Sequence, residues 1–145
     1  MAASTRTMMK ITCVRTMALS TVILIMASSI APAQKTGMAQ AVSIVQLIAT
    51  PEKYNGQGVL VGGFLRLEFE GNAIYLHEDD YRHRIYANAL WVNLDAKTAE
   101  NSDKLNLRYA FIEGTFDASR HGHGGLFAGT INNITYARIA PDRNQ

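Results

Sequence analysis

The sequence predicts a mainly β domain: five strands closed into a small barrel, a short helix ahead of the first strand and another between the third and fourth. Three observations carry this reading. Apolar residues alternate with polar or charged ones through Val59–Glu78, Asn88–Leu94 and Leu107–Ala118, the period of strands with one buried and one wet face. Gly, Asn and Asp cluster between those runs, where turns are expected. Helix signals are confined to two short segments, one beginning at Ser43 and one at Asp95.

The elements follow in order. Ser43-Ile44-Val45-Gln46 matches a capping box, and Ile44, Leu47 and Ile48 give one apolar helical face. Pro51 restarts the helical turn, and Asn55-Gly56 is expected to end it in the left-handed conformation. Val59–Glu78 reads as two long strands joined by a tight turn at Glu70-Gly71-Asn72, with Gly71 supplying the positive φ. Gly62-Gly63 is expected to bend the first of these strands around a barrel corner. Glu78–Arg84 reads as a solvated charged loop, Asn88–Leu94 as the third strand and Asp95–Asp103 as a short helix with Asp95 as its N-cap. Leu107–Ala118 is the fourth strand, Ser119–Gly125 a flexible loop, and Leu126–Ile139 a fifth strand, irregular at Asn132-Asn133. Strands of this number and length, with a helix between the third and fourth, are the pattern of an OB-fold, a five-stranded, partly open Greek-key barrel.

Residues 1–33 are expected to be a targeting leader. Arg6, Lys10 and Arg15 form a basic region without an acidic residue, Met17–Met26 is apolar, and Ala31-Pro32-Ala33 is a small-x-small site before Gln34. That order is the signature of a secretory signal peptide. The apolar run falls short of the roughly 20 residues of a comfortable membrane span. Met8 and Met9 are alternative starts that give a leader of more ordinary length, and Cys13 lies on the wrong side of the apolar run for a lipid anchor. The expected destination is the periplasm or the medium. Cleavage would leave 112 of the 145 residues: a flexible tail over 34–41, one domain over 42–140 and a C-terminal tail over 141–145. This part has no cysteine, so its core holds without disulfides in a compartment that permits them. The whole chain carries +2, but three of its 14 basic residues lie in the leader, which sets 11 against 12 acidic ones and a net charge of −1. A near-neutral domain lacks the electrostatic excess that drives phosphate-backbone binding, which disfavours nucleic acid as a partner.

The run from Val42 to Tyr81, with NALWVNL, YAFIEGTFDA and GGLFAGTINNI downstream, resembles a group of uncharacterised bacterial proteins. It is similar, more distantly, to exported bacterial OB-fold and tRNA-anti-like families. In those, a segment of the form Ser…Leu…Pro-x-x-Tyr-x-Gly precedes the first strand, as Ser43, Leu47, Pro51, Tyr54 and Gly56 do here. The resemblance covers about Val42 to Ile139. It implies the barrel fold and no catalytic residues.

Candidate chemistry is of three kinds. Exposed aromatics with cationic neighbours are how OB-folds stack bases or sugars, and the candidates are Arg66, Tyr75, Trp91, Arg108, Phe111 and Tyr136, with Phe64, Tyr109 and Arg138 beside them. His121 and His123, with His77, form an alternative metal site for zinc or copper, serving a metal-binding protein or a weak metal-dependent hydrolase. Against that stands a solvent-exposed Gly/His loop whose glycines give only flexibility. Glu68 and Glu113 could meet across the sheet as an acid pair, although outward charges on neighbouring strands give the same pattern. No G-x-S-x-G, phosphate loop or mature cysteine nucleophile is present. The expected function is therefore an exported, non-enzymatic binding module without a cofactor, for a small ligand, an oligosaccharide or a protein partner; a single-stranded nucleic-acid binder is the further alternative.

Overall fold

The computed structural model describes residues 38–94, 96–100 and 102–142. Its elements are β1 (Gln40–Ala41), α1 (Ile44–Ala49), α2 (Pro51–Tyr54), β2 (Gly58–Arg66), β3 (Ala73–Tyr75), α3 (Glu78–Arg82), β4 (Ala89–Val92), α4 (Ala96–Glu100), α5 (Ser102–Leu105), β5 (Arg108–Asp117) and β6 (Thr130–Ile139). Single 3-10 turns lie at Tyr86–Asn88 and His123–Gly125.

Alternation decides which face of each strand turns inward. Ala110, Ile112 and Phe116 of β5 are fully buried, as are Leu90 and Val92 of β4 and Val59, Val61 and Leu65 of β2. One such face cannot be covered by a flat sheet of this size, and the chain closes on itself instead. The strands run β2–β3–β4–β6–β5 and return to β2. The β2–β5 seam is antiparallel from Gly58↔Thr115 to Leu65↔Arg108, and β4 meets β6 in parallel at Trp91↔Thr130 and Val92↔Ile131. The result is a closed five-stranded barrel consistent with an OB-fold-like barrel, with β1 as an extra strand laid in parallel on β2. Ile44 and Leu47 of α1, Tyr54 of α2 and Leu105 of α5 join the barrel core.

The N-terminal helix starts as its sequence dictates. Gln46 N–H donates to Ser43 Oγ (3.2 Å) and Ser43 N–H to Gln46 Oε1 (3.0 Å), the two halves of a capping box. The helix breaks at Thr50 (φ −140°) into α1 and α2, because Pro51 is the first residue of a new turn. Gly56 ends it at φ 74°. Gln40–Ala41, expected to be part of a flexible tail, is instead strand β1, and Val42 N–H continues it by donating to Leu60 O (3.0 Å). Residues 34–37, Asp95 with its expected capping role, and 143–145 lie outside the described residues.

The first hairpin differs from expectation. β2 and β3 part after Arg66↔Ala73, so residues 67–72 form a wider loop rather than a tight turn at Glu70-Gly71-Asn72. Asn106 Oδ1 takes the Leu67 amide (2.9 Å), which turns Leu67 into the core and out of the ladder. Glu70, not Gly71, adopts the left-handed conformation (φ 57°). Gly71 instead lies close under the Glu68 side chain, where a Cβ would be 2.5 Å from Glu68 Cγ unless that flexible side chain moved. Phe69, which continues the alternation of Val59, Val61, Leu65 and Leu67 and by that parity belongs on the buried face, is 93% exposed.

Glu78–Arg84 is not an irregular loop: its first five residues form α3. The buried Asp80 carboxylate accepts from His77 N–H (3.0 Å) and from Asn88 Nδ2 (2.9 Å), which fixes the start of the helix, and Arg82 pairs with Glu78 at 2.6 Å. The expected helix over 95–103 is two short pieces, α4 and α5, and the third and fifth strands are shorter than their apolar runs. The irregularity expected at Asn132-Asn133 is present as a register shift between Glu113 and Thr115, with Asn133 at φ 50°.

At Gly62-Gly63 the partner of β2 changes from β1 to β3. A Cβ on Gly63 would run into the Tyr75 carbonyl oxygen and lie 2.9 Å from side-chain atoms of both Ile44 and Ile74. Because backbone and fully buried core cannot retreat, Gly63→Ala is expected to lower unfolding stability by about 2 to 3 kcal/mol. Gly62→Ala meets only the Phe111 ring edge and should cost clearly less. Paired denaturant titrations measure both; equal effects would contradict the corner assignment.

Candidate functional site

Pairing places two cross-strand rows on the outer face of β2, β3 and β4. Phe64, Tyr75 and Ala89 form one, and Arg66, Ala73 and Trp91 the other. Small Ala73 and Ala89 leave room between the larger side chains, and three other segments fold their rings onto this face. Tyr81 of α3 stacks on Phe64 at 5.7 Å and meets Tyr75 edge-on at 5.6 Å. Phe127 lies edge-on to both Tyr86 and Trp91, each at 5.4 Å. These geometries are the favoured ones for aromatic pairs.

The loop between β5 and β6 brings Phe127 there by closing on itself. Phe127 N–H donates to His121 O (3.2 Å), His121 Nδ1 lies 2.9 Å from Phe127 O, and Thr130 Oγ1 donates to Arg120 O (2.8 Å). Gly122 (φ 62°) rests against Trp91, where a Cβ would lie 2.7 Å from the indole. Its role is close approach to that ring, not the loop flexibility expected from sequence.

Between these elements opens a cleft of about 650 Å³. Tyr75, Tyr81, Tyr86 and Phe127 supply its aromatic surface, Glu68–Gly71 one side, His123 and Leu126 another, and Arg82 and Arg84 the remainder. His123 Nε2 stands 3.9 Å from Glu70 Oε2 and so links the two loops across the opening when the imidazole is protonated. Arg66 is held by Glu68 (2.6 Å) and Asn106 (3.2 Å) and lies over the Tyr81 ring. Its buried Nε has no hydrogen-bond partner among the described residues. The Arg84 backbone is pinned in the left-handed region (φ 56°), with its amide donating to Tyr81 O (3.1 Å).

Tyr75 is 3% exposed, and burial, reinforced by neighbouring Tyr86 and Glu68, pushes its phenol up to about 12. It therefore stays protonated throughout the physiological range. Its hydroxyl makes no hydrogen bond to another described residue and borders the cleft. The cleft thus offers flat faces for stacking, one uncommitted hydroxyl and charges of both signs at the rim.

The residues singled out from sequence do not form one site. Arg66, Tyr75 and Trp91 share the aromatic face, but only Tyr75 lines the cleft itself. Arg108 lines a separate groove with Leu107, Tyr109 and Ile139. Phe111 lies against Gly62, and Tyr136 pairs opposite Glu113 on β6. The histidines also separate. His77 stands at the start of α3, His121 is engaged with Phe127 and His123 sits at the rim; among the described residues no three of His, Cys, Asp and Glu gather to hold a metal ion. Glu68 and Glu113 have different partners, Arg66 and Thr135, so they form no acid pair. Sequence reasoning missed Tyr81, Tyr86, Phe127 and Phe69 as site residues: Tyr81 fell in a segment read as a loop, Tyr86 between assigned elements, and Phe69 and Phe127 in segments read as strands.

A scan against protein-family models matches none of them, and a search of curated proteins finds no significant relative.

Because the Tyr75 phenol is raised in the fold, the unfolded chain ionises first. Its contribution to stability is intact below pH 10 and is lost as pH rises toward about 12. Tyr75→Phe is expected to flatten that part of the stability profile, measured by denaturant unfolding across alkaline pH; an unchanged profile would place the hydroxyl in water.

Proposed function

We propose that this domain is a binding module whose aromatic cleft holds a small ligand with a flat, hydroxyl-bearing face, a sugar ring or short oligosaccharide. The observation that carries the reading is the convergence of Tyr75, Tyr81, Tyr86 and Phe127 from a strand, a helix, a turn and a loop on one cleft. Tyr75 and Phe127 are themselves buried among these rings, and the half-buried Tyr81 and Tyr86, with the exposed Phe69, are the ones that keep surface open to the cleft. A volume of about 650 Å³ suits a small molecule. Stacking on such faces contributes about 1–3 kcal/mol per nucleobase, and the C–H face of a sugar ring is expected to gain toward the low end of that range. The Tyr75 hydroxyl and the rim charges would then choose among ligands by their polar groups.

Two further considerations support this reading. The cleft lies between the loop joining the first two barrel strands and the loop joining the last two, which is where OB-folds take oligosaccharides and oligonucleotides; that agreement is analogy of fold. Export is supported by the leader pattern of residues 1–33, and an exported domain meets saccharides more readily than nucleic acid.

A melting-temperature screen against saccharides tests the reading. A true ligand at a hundredfold excess over its dissociation constant adds about 2.7 kcal/mol. Tyr86→Ala is expected to weaken binding about tenfold, the loss of one stacking face, whereas Tyr136→Ala, remote from the cleft, leaves affinity unchanged. Equal binding by wild type and Tyr86→Ala would remove the cleft from consideration, and salt-sensitive binding of single-stranded oligonucleotides in place of sugars would replace the ligand class.

A further inference from the structure

The second half of β6 is paired along one edge only. Ala140 N–H donates to Tyr109 O (2.8 Å), which continues the register Ala110↔Ile139, Phe111↔Arg138, Ile112↔Ala137 and Glu113↔Tyr136. In an antiparallel ladder this direction alternates. Tyr136 and Arg138 therefore turn their amides and carbonyls toward β5, while Thr135, Ala137 and Ile139 turn theirs away. β4 reaches β6 only at Thr130 and Ile131. Outside the strand ladders, none of the three outward amides donates to the backbone of a described residue. Thr135, Tyr136, Arg138 and Ile139 are exposed, Tyr136 at 42% and Ile139 at 41%. The stretch contains no proline or lysine; of the devices that blunt an edge it carries only the single charge of Arg138 and the bulge beside Asn133.

We propose that this edge pairs with the same edge of a second copy of the chain, antiparallel and centred on Ala137. The choice of a second copy rests on self-complementarity. In that register Ala137 meets Ala137 of the second copy, and Thr135 meets its Ile139. Each of these residues exchanges the outward hydrogen bonds left open in the single chain. On the outer face Tyr136 stands opposite Arg138 of the second copy, twice by symmetry, a cation–aromatic pair across the junction. Arg138 already has Phe111 opposite it on β5, so the guanidinium lies between two rings. Sliding to the next allowed register in one direction sets Arg138 against Arg138, and in the other drives Ile139 toward the bulge at Asn133, so the centred register is selected. The junction lies on β6 away from the cleft and does not depend on the ligand reading. An edge of five residues is small, and association in the micromolar to millimolar range is expected.

Sedimentation velocity over rising concentration, combined with amide hydrogen exchange, tests this. The mass is expected to shift from monomer to dimer, with the amides of Thr135, Ala137 and Ile139 becoming protected only in the concentrated sample. Ala137→Pro removes the central outward amide without touching the β5 ladder and should abolish the dimer. Tyr136→Arg, an exposed change that sets arginine against arginine, should do the same with its melting temperature retained, which covers the case where the proline variant unfolds. A monomer up to about 1 mM, a dimer unaffected by Tyr136→Arg, or a dimer whose three amides still exchange freely would each overturn the proposal.

Discussion

The parallel contact between β4 and β6 is the constraint on which the rest depends. It is short: Trp91 N–H donates to Gly129 O, Asn93 N–H to Ile131 O, and Ala128 N–H to Ala89 O, each at 2.9 Å. Without it the strands would form an open sheet with two exposed edges and one uncovered apolar face. With it the inward rows of Val59, Val61, Leu65, Ile74, Leu90, Val92, Ile112, Phe116 and Ile131 face one another in a single core. A parallel step needs a long connection, and the chain supplies it through α4, α5, β5 and the loop that follows.

The same contact builds the outer site. Bringing Thr130 beside Trp91 carries the loop before it onto the face of β3 and β4. Gly122 then lies on the indole and Phe127 settles between Trp91 and Tyr86. On the opposite side of the cleft, the widened loop between β2 and β3 presents Phe69 and Glu70 because Asn106 has drawn Leu67 inward. The left-handed Glu70 and Arg84 both border this space. Strain of that kind persists where the surroundings over-determine it and gathers at functional sites. Barrel closure and cleft formation are thus one event seen from the inside and the outside.

Much of the barrel was legible in the residues themselves. The alternation Ala110, Ile112, Phe116 names the buried face of β5 directly, and Ser43 with Gln46 announces the start of α1. The site was not legible, for a physical reason. Periodicity reports which side of a strand is wet, but Tyr81, Tyr86 and Phe127 lie on a helix, a turn and a loop whose positions depend on contacts distant in sequence. Glu78–Arg84 read as a charged loop because three acids in succession suggest solvent. What makes it α3 is that Asp80 turns inward to Asn88 and to its own helix start, a pairing no spacing rule announces. Likewise, six aromatics and arginines chosen for their type were divided between separate faces once register was fixed, because strand parity and not residue type decides which side chains meet.

The account stands on barrel closure through β4 and β6, and the most direct measurement of it is through-hydrogen-bond scalar coupling in solution by NMR. Couplings are predicted between the Trp91 amide and the Gly129 carbonyl and between the Asn93 amide and the Ile131 carbonyl, with both amides slow to exchange. Absent couplings with both amides exchanging at the rate of an open edge would contradict closure, and with it the placement of Phe127 against Trp91 that makes the cleft.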